Sequence, residues 1–397
     1  MQVYAGLDIL TNKVPVEEQS GIEHLLMGFK QPGEQYVVGQ WVKDAMNLID
    51  DTHRRNQVPI VVGGTAYWIQ HLVFPGRLAT FDDPSRDSSA SSPIGKVSEK
   101  IQSEALQLAL SSLSPELQAA FDGLPSHIQS DINDPATALL LHRVLSALDP
   151  SVAQRWHWKD SRKVLRSLEI IQSTGRLPSE IISEQSEDSL QPRYRTLCFW
   201  LYAQPDALNP RLDARVDTML EQGLLKEVDD CMKAAASARP PSIPDEHAPE
   251  RGVDMPSTDY TLGIYQSIGY REFSAYLAHN PSLTPPDDDA IFRKAVERMK
   301  ISTRQYAKRQ VSWIRNKLLP AAFATNNVAR QDAEKGREVV PAYLLDATQL
   351  GDEWTSQVQT MATRITQDFL GNRPLPDPLS LSETARDMLS IAEKPTE

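Results

Sequence analysis

Cysteine is nearly absent: Cys198 and Cys231, 33 residues apart, are the only two in a chain of 397. Neither has a second Cys or a His at metal-ligand spacing, so neither a disulfide framework nor a structural zinc organises the fold. The eight histidines are scattered without ligand spacing, and no metal-ligating set is expected. No apolar run approaches the roughly 18 residues that a membrane-crossing helix needs. The start, Met1-Gln2-Val3-Tyr4-Ala5, has neither a basic leader nor an apolar one, and it is not rich in Arg and Ser. The Gly-x-Ser-x-Gly elbow of serine hydrolases, the His pair of zinc proteases and the Gly-x-x-x-x-Gly-Lys-Ser/Thr phosphate loop do not occur. No internal repeat is visible. These gaps argue against a secreted disulfide scaffold, a membrane protein and the common hydrolases, and they point to a cytoplasmic chain with reduced thiols.

What is present suits a globular protein. Hydrophobic residues make up 40% and charged residues 24%, and the length suggests two or three domains. Residues 1–78 read as alternating helix and strand. Tyr36 to Asn56 forms an amphipathic helix, Val58-Pro59-Ile60-Val61-Val62 a buried parallel strand, and Gly63-Gly64-Thr65 a tight turn into a helix over Ala66–Val73. Residues 82–98 are rich in Ser, Pro and Asp and read as a disordered insertion. The helices of 79–150 form a small helical domain. Residues 151–350 return to the α/β core, with a helix from Asp160 to Ser173, strands at Tyr194–Tyr202 and Val339–Leu345, and a proline-rich mobile loop at 237–258. Residues 351–397 make a C-terminal helix and tail.

Charge is unevenly spread. The formal net charge is −12, yet nine Lys or Arg fall between Arg293 and Lys317 against one acid, Glu297. At about 100° per residue, Ala295, Met299, Tyr306 and Trp313 share one helix face, while Arg293, Lys300, Arg304, Lys308 and Arg315 share the opposite one. A like-charge stripe repels itself unless an anion lies against it. A second cluster, Arg155-Trp156-His157-Trp158-Lys159-Asp160-Ser161-Arg162-Lys163 and on to Arg166, interleaves cations with rings, a pattern that suits RNA. A helix burying its tryptophans would give the same pattern. Two weaker signals remain. The turn at Gly63–Thr65 would offer N–H groups and a hydroxyl to a phosphate. Arg211 and Arg215, one turn apart, suit an oxyanion clamp, or a surface ladder with Asp213 and Asp217.

Taken in order, these segments resemble the tRNA dimethylallyltransferases. The start Met1–Ile9 is similar to the family's Asp-Ser-x-Gln-x-Tyr motif without its first two residues. His24, Val61–Thr65, Asp160 with Arg162, Arg166 and Glu169, and Arg215 with Gly223-Leu224 and Glu227-Val228 follow. Gly263–Phe273 and Thr303–Arg315 come last. The resemblance covers residues 1 to about 320. It implies an α/β fold with a P-loop-kinase-like parallel sheet core and a helical insertion that grips RNA. It also implies transfer of a dimethylallyl group from dimethylallyl diphosphate to the exocyclic amine of the adenosine 3′ of the anticodon, with Mg²⁺ accompanying the diphosphate. By resemblance Gln2 binds the flipped base, and Thr65 and Arg215 lie near the leaving diphosphate. Arg162, Lys163, Arg166, Gln266, Gly269, Tyr270, Arg271, Arg304, Lys308, Arg309, Gln310, Trp313 and Arg315 contact the tRNA anticodon stem-loop.

The family's phosphate loop, first strand and general-base Asp would precede Met1, and its zinc finger has no counterpart after Cys231. Two readings therefore stand side by side: a transferase, or an inactive homologue that only binds tRNA. Either is expected as a monomer without a membrane partner, in the cytoplasm and also in mitochondria.

Overall fold

Two short strands, β1 (Cys198–Tyr202) and β2 (Ala342–Asp346), pair in parallel, with Cys198 opposite Ala342 and Tyr202 opposite Asp346. Parallel strands need a long crossover between them, and here it is a run of helices. The computed structural model describes residues 1–75, 103–124, 134–187, 191–237, 263–279, 283–285, 289–331 and 338–390. The expected insertion at 82–98 and loop at 237–258 fall outside these residues. Two compact units are present, Pro75–Ser189 and the rest of the chain.

In the larger unit, α1 (Val38–Arg54) buries Val42, Ala45 and Ile49, the i, i+3, i+7 stripe of an amphipathic helix. α2 (Ala66–Val73) follows the glycine turn as expected. The preceding run does not form the expected strand. Val58, Ile60, Val61 and Val62 are 55, 79, 43 and 87% exposed, and no strand pairs with them among the described residues. A β-branched run gains from the pleated state only through its neighbours, and β1 pairs with β2 instead.

The helical unit contains α3 (Glu104–Ser111), α4 (Pro115–Asp122), α5 (Pro135–Leu148), α6 (Pro150–Ala153), α7 (Ser161–Thr174) and α8 (Pro178–Glu187). Ser or Asp caps several starts: Ser103 accepts from Leu106 N at 3.2 Å and Asp134 from Thr137 N at 2.9 Å. The unit runs past the expected limit of 150, because Leu141, Val144, Leu145 and Leu148 pack with Val164, Leu165 and Leu168 in one core. Buried Asp149 ties α6 and α8 together by accepting from Val152 N (3.2 Å) and Ser179 N (2.8 Å).

Back in the larger unit come α9 (Pro205–Glu221), α10 (Leu224–Ser237), α11 (Tyr270–His279) and α12 (Ala290–Trp313). α12 passes through a π-turn at Ile314–Leu318 into α13 (Leu319–Gln331). Ala295 and Met299 join a core with the N-terminal loop, α9, α10 and α11. Leu319, Ala321 and Ala322 face β1 and β2 and their neighbours. Between them, no side chain from Lys300 to Leu318 is buried. α14 (Asp352–Trp354), α15 (Met361–Leu370) and α16 (Glu383–Leu389) complete the unit. Among the described residues, no helix is long and apolar enough to cross a membrane.

Candidate active site and nucleic-acid interface

Thr65 stands at the N-cap of α2, but its side chain makes no capping hydrogen bond. Its hydroxyl pairs instead with the hydroxyl of Tyr306 at 3.2 Å. One turn further along α12, the Gln310 amide lies against Gly64, where an added Cβ would come within 3.1 Å of Nε2. Trp313 Nε1 then donates to Gln70 Oε1 at 3.0 Å, and its ring meets the edge of Tyr67 at 5.3 Å. Positions 306, 310 and 313 share one helix face, so a single stripe of α12 seats on the Gly64–Gln70 turn. The sequence placed Tyr306 and Trp313 on the helix face shared with Ala295 and Met299, which are buried. Tyr306 is exposed, and both stand on the wall of the turn.

Gln2 lies in a loop held by its own polar groups. Its Nε2 donates to Thr11 O (3.2 Å) and Asn12 O (2.9 Å). With both donors directed at carbonyls, Oε1 is the group left to accept from a ligand. Glu227 on α10 fixes the same loop, accepting from Ile9 N (2.9 Å) and Leu10 N (2.8 Å). Lys13, its side chain 9% exposed, donates to Tyr4 O and pairs with Asp8.

On α9 the suggested Arg211–Arg215 clamp is not formed. Arg211 donates to the carbonyls of Ala347 and Thr348 beyond β2. Arg215 makes no hydrogen bond or ion pair among the described residues, and desolvation holds its pKa below the ordinary value. It remains a cation at neutral pH, available to an anion. The Asp213–Asp217 ladder with these arginines is replaced by a bridge to α12: Asp217 pairs with Lys300 at 2.7 Å, and Asp213 takes the Arg304 guanidinium through both oxygens. The charge of Arg304, expected on the RNA-facing stripe, is thus balanced within the fold by Asp213. Lys308, Arg309 and Arg315 are exposed, Arg309 with its guanidinium 5.9 Å from the Tyr306 ring centre. Lys308 and Arg315 have no ion pair among the described residues.

The segment before α11 divides in the same way. Gln266 and Arg271 are exposed. Gly269 and Tyr270 are buried, so they support the surface rather than touch a ligand. At φ +102°, Gly269 lies where a Cβ would come 2.6 Å from Leu10 and 3.1 Å from Met299, a position only glycine fills without displacement. Glu272 accepts from Gly269 N (2.8 Å) and Ser302 Oγ (2.9 Å), joining α11 to α12. Spacing held a signal for the α9–α12 bridge that charge counting missed: Asp213/Asp217 and Lys300/Arg304 are matching i, i+4 pairs.

In the helical unit, Arg162 is exposed and unpaired among the described residues. Lys163 pairs with Asp160 (3.3 Å) and Arg166 with Glu169 (2.9 Å).

Burial pushes the thiol pKa of Cys198 up to about 12 and that of Cys231 up to about 11, so neither is a nucleophile at neutral pH. Among the described residues no three His, Cys, Asp or Glu form a metal-ligand group.

The family model for IPP transferase matches residues 2–317. The tRNA dimethylallyltransferase of Schizosaccharomyces pombe is 37% identical over 400 residues, covering 98% of this chain and 77% of that protein. The tRNA dimethylallyltransferase of Homo sapiens is 30% identical over 390 residues, covering 96% and 70%. A crystal structure of a eukaryotic dimethylallyltransferase acting on tRNA superposes with a TM-score of 0.67 at 31% identity, over 98% of this chain and 76% of that one. With its α/β fold, the chain belongs to the IPP transferase family, that of the tRNA dimethylallyltransferases.

Proposed function

We propose that this chain transfers a dimethylallyl group from dimethylallyl diphosphate to the N6 amine of the adenosine 3′ of the anticodon. In that reaction the carbon–oxygen bond to the diphosphate breaks, a carbon–nitrogen bond to N6 forms, and N6 loses a proton. One observation carries the reading: a glycine–threonine turn, its Thr65 hydroxyl bonded to the hydroxyl of Tyr306 rather than to the helix it starts, is packed under a helix that goes on to present the exposed cations Lys308, Arg309 and Arg315. The Thr65 hydroxyl and the Arg215 guanidinium are suited to the charge that develops on the leaving diphosphate. Gln2 Oε1, an acceptor by elimination, is suited to the exocyclic amine of an extruded adenine, whose departure from the stack costs a few kcal/mol. Lys308, Arg309 and Arg315 take phosphates of the anticodon arm.

The test is incubation of the chain with labelled dimethylallyl diphosphate and tRNA, followed by nucleoside analysis. Label on the adenosine 3′ of the anticodon supports transfer, and Thr65→Ala should then lower turnover more than tRNA affinity. Tight tRNA binding without label would favour the second reading, a tRNA-binding protein that leaves the RNA unmodified. Label elsewhere would overturn the position assigned.

A further inference from the structure

The turn between α6 and α7 presents three rings in two different ways. Trp156 packs on the core of the helical unit, with the Lys163 ammonium 4.7 Å from its ring centre. His157 and Trp158 belong to no hydrophobic cluster of the described residues. His157 is exposed, and its ring stacks on Trp158 with centroids 5.6 Å apart and planes 30° from parallel. The Lys159 ammonium lies 5.3 Å from the Trp158 centroid. The backbone N–H of Lys159 donates to His157 Nδ1 at 3.2 Å. A ring nitrogen that accepts carries no hydrogen, so in the neutral imidazole the donor is Nε2.

The charges around this stack are uncompensated. Asp160 and Glu169 pair with Lys163 and Arg166. Arg155, Lys159 and Arg162 are exposed and have no acidic partner among the described residues. Two stacked rings outside the core, with cations on either side in sequence, match the needs of an unpaired nucleotide: a flat π-surface for the base and positive charge for its phosphates. A purely acidic partner would use the cations and leave the rings idle. A membrane surface would require an apolar face to insert, which this turn lacks.

We propose that the His157–Trp158 stack is a platform for an unpaired base of the bound RNA, with Arg155, Lys159 and Arg162 on the flanking phosphates. The proposal rests on the tRNA reading above and deepens it. It gives the helical unit a contact that distinguishes loop from duplex, where the α12 cations register phosphate alone. The Nε2–H of His157 adds one directed donor at the edge of the platform.

The experiment uses the full chain and two labelled RNAs with equal numbers of phosphates, a hairpin with an open loop and a blunt duplex, titrated at several salt concentrations. Trp158→Ala is expected to weaken hairpin binding about tenfold, leave duplex binding unchanged and leave the salt dependence intact. Trp158→Phe, which keeps a ring, should restore most of the loss. His157→Ala removes an exposed ring and should repeat the pattern in smaller degree even if Trp158→Ala proves poorly folded. Arg162→Ala should instead weaken both RNAs and lower the salt slope by about one. Equal losses on hairpin and duplex, or none on either, would overturn the platform while leaving the tRNA reading in place. Failure of the unaltered chain to bind either RNA would overturn both.

Discussion

The two halves of the basic stretch, residues 290–304 of α12 and residues 305–317 running on into the π-turn, carry the same kind of residue and put it to different use. In the first half, Lys300 and Arg304 are drawn back onto α9 by Asp217 and Asp213, and Ser302 meets Glu272. In the second, Lys308 and Arg315 are exposed and have no acidic partner among the described residues. The difference lies in what stands beside the helix, since each half is comparably rich in cations. A basic stretch therefore gives an upper bound on the phosphates a helix can neutralise, and acids at matching spacing on a neighbour reduce it.

The strongest way to disturb the held half is from beneath. Gly269→Ala places a methyl group against Leu10 and Met299 at a positive φ, and should lower stability by roughly 2–4 kcal/mol in chemical denaturation. Asp213→Ala would convert a held cation into a free one. Unfolding should show a loss of about 1–2 kcal/mol, while the salt slope of RNA binding rises because Arg304 becomes available to phosphate. An unchanged slope would mean that Arg304 already contacts the RNA. Lys308→Ala should weaken RNA binding and reduce the slope by about one, with stability altered by less than about 0.5 kcal/mol. Lys300→Ala is its control: a small stability loss and no change in slope. Equal slopes for the two lysine variants would erase the distinction between the halves.

Much of the local structure was legible because periodicity and turn chemistry act within a few residues. α2 follows its glycine turn at the expected residues, α7 begins after Asp160, and the aromatic run at Cys198–Tyr202 forms a strand. The run at Val58–Val62 was misread because a parallel strand is made by its partners, and β propensity says nothing of whether one is present. The helical unit was drawn too short because the pairing of α5 with α7 depends on contacts across the connecting turn. At the candidate site, Thr65 could be singled out from the glycine turn, but its partner Tyr306 lies 241 residues away. The buried places of Gly269 and Tyr270 were equally hidden, since a motif gives order along the chain and not depth in the fold.

The rod formed by residues 290–331 behaves as a beam on two end bearings, with a prop between them where Tyr306, Gln310 and Trp313 seat on the Gly64–Gln70 turn. One bearing is Ala295 and Met299, seated beside the N-terminal loop that carries Gln2; the other is Leu319 to Ala322, seated on the sheet. The span between them has no buried side chain and includes the wider π-turn. An anion held at Lys308 would load this span near its middle, beside the prop, so that part of the thrust would pass to the turn that carries Thr65.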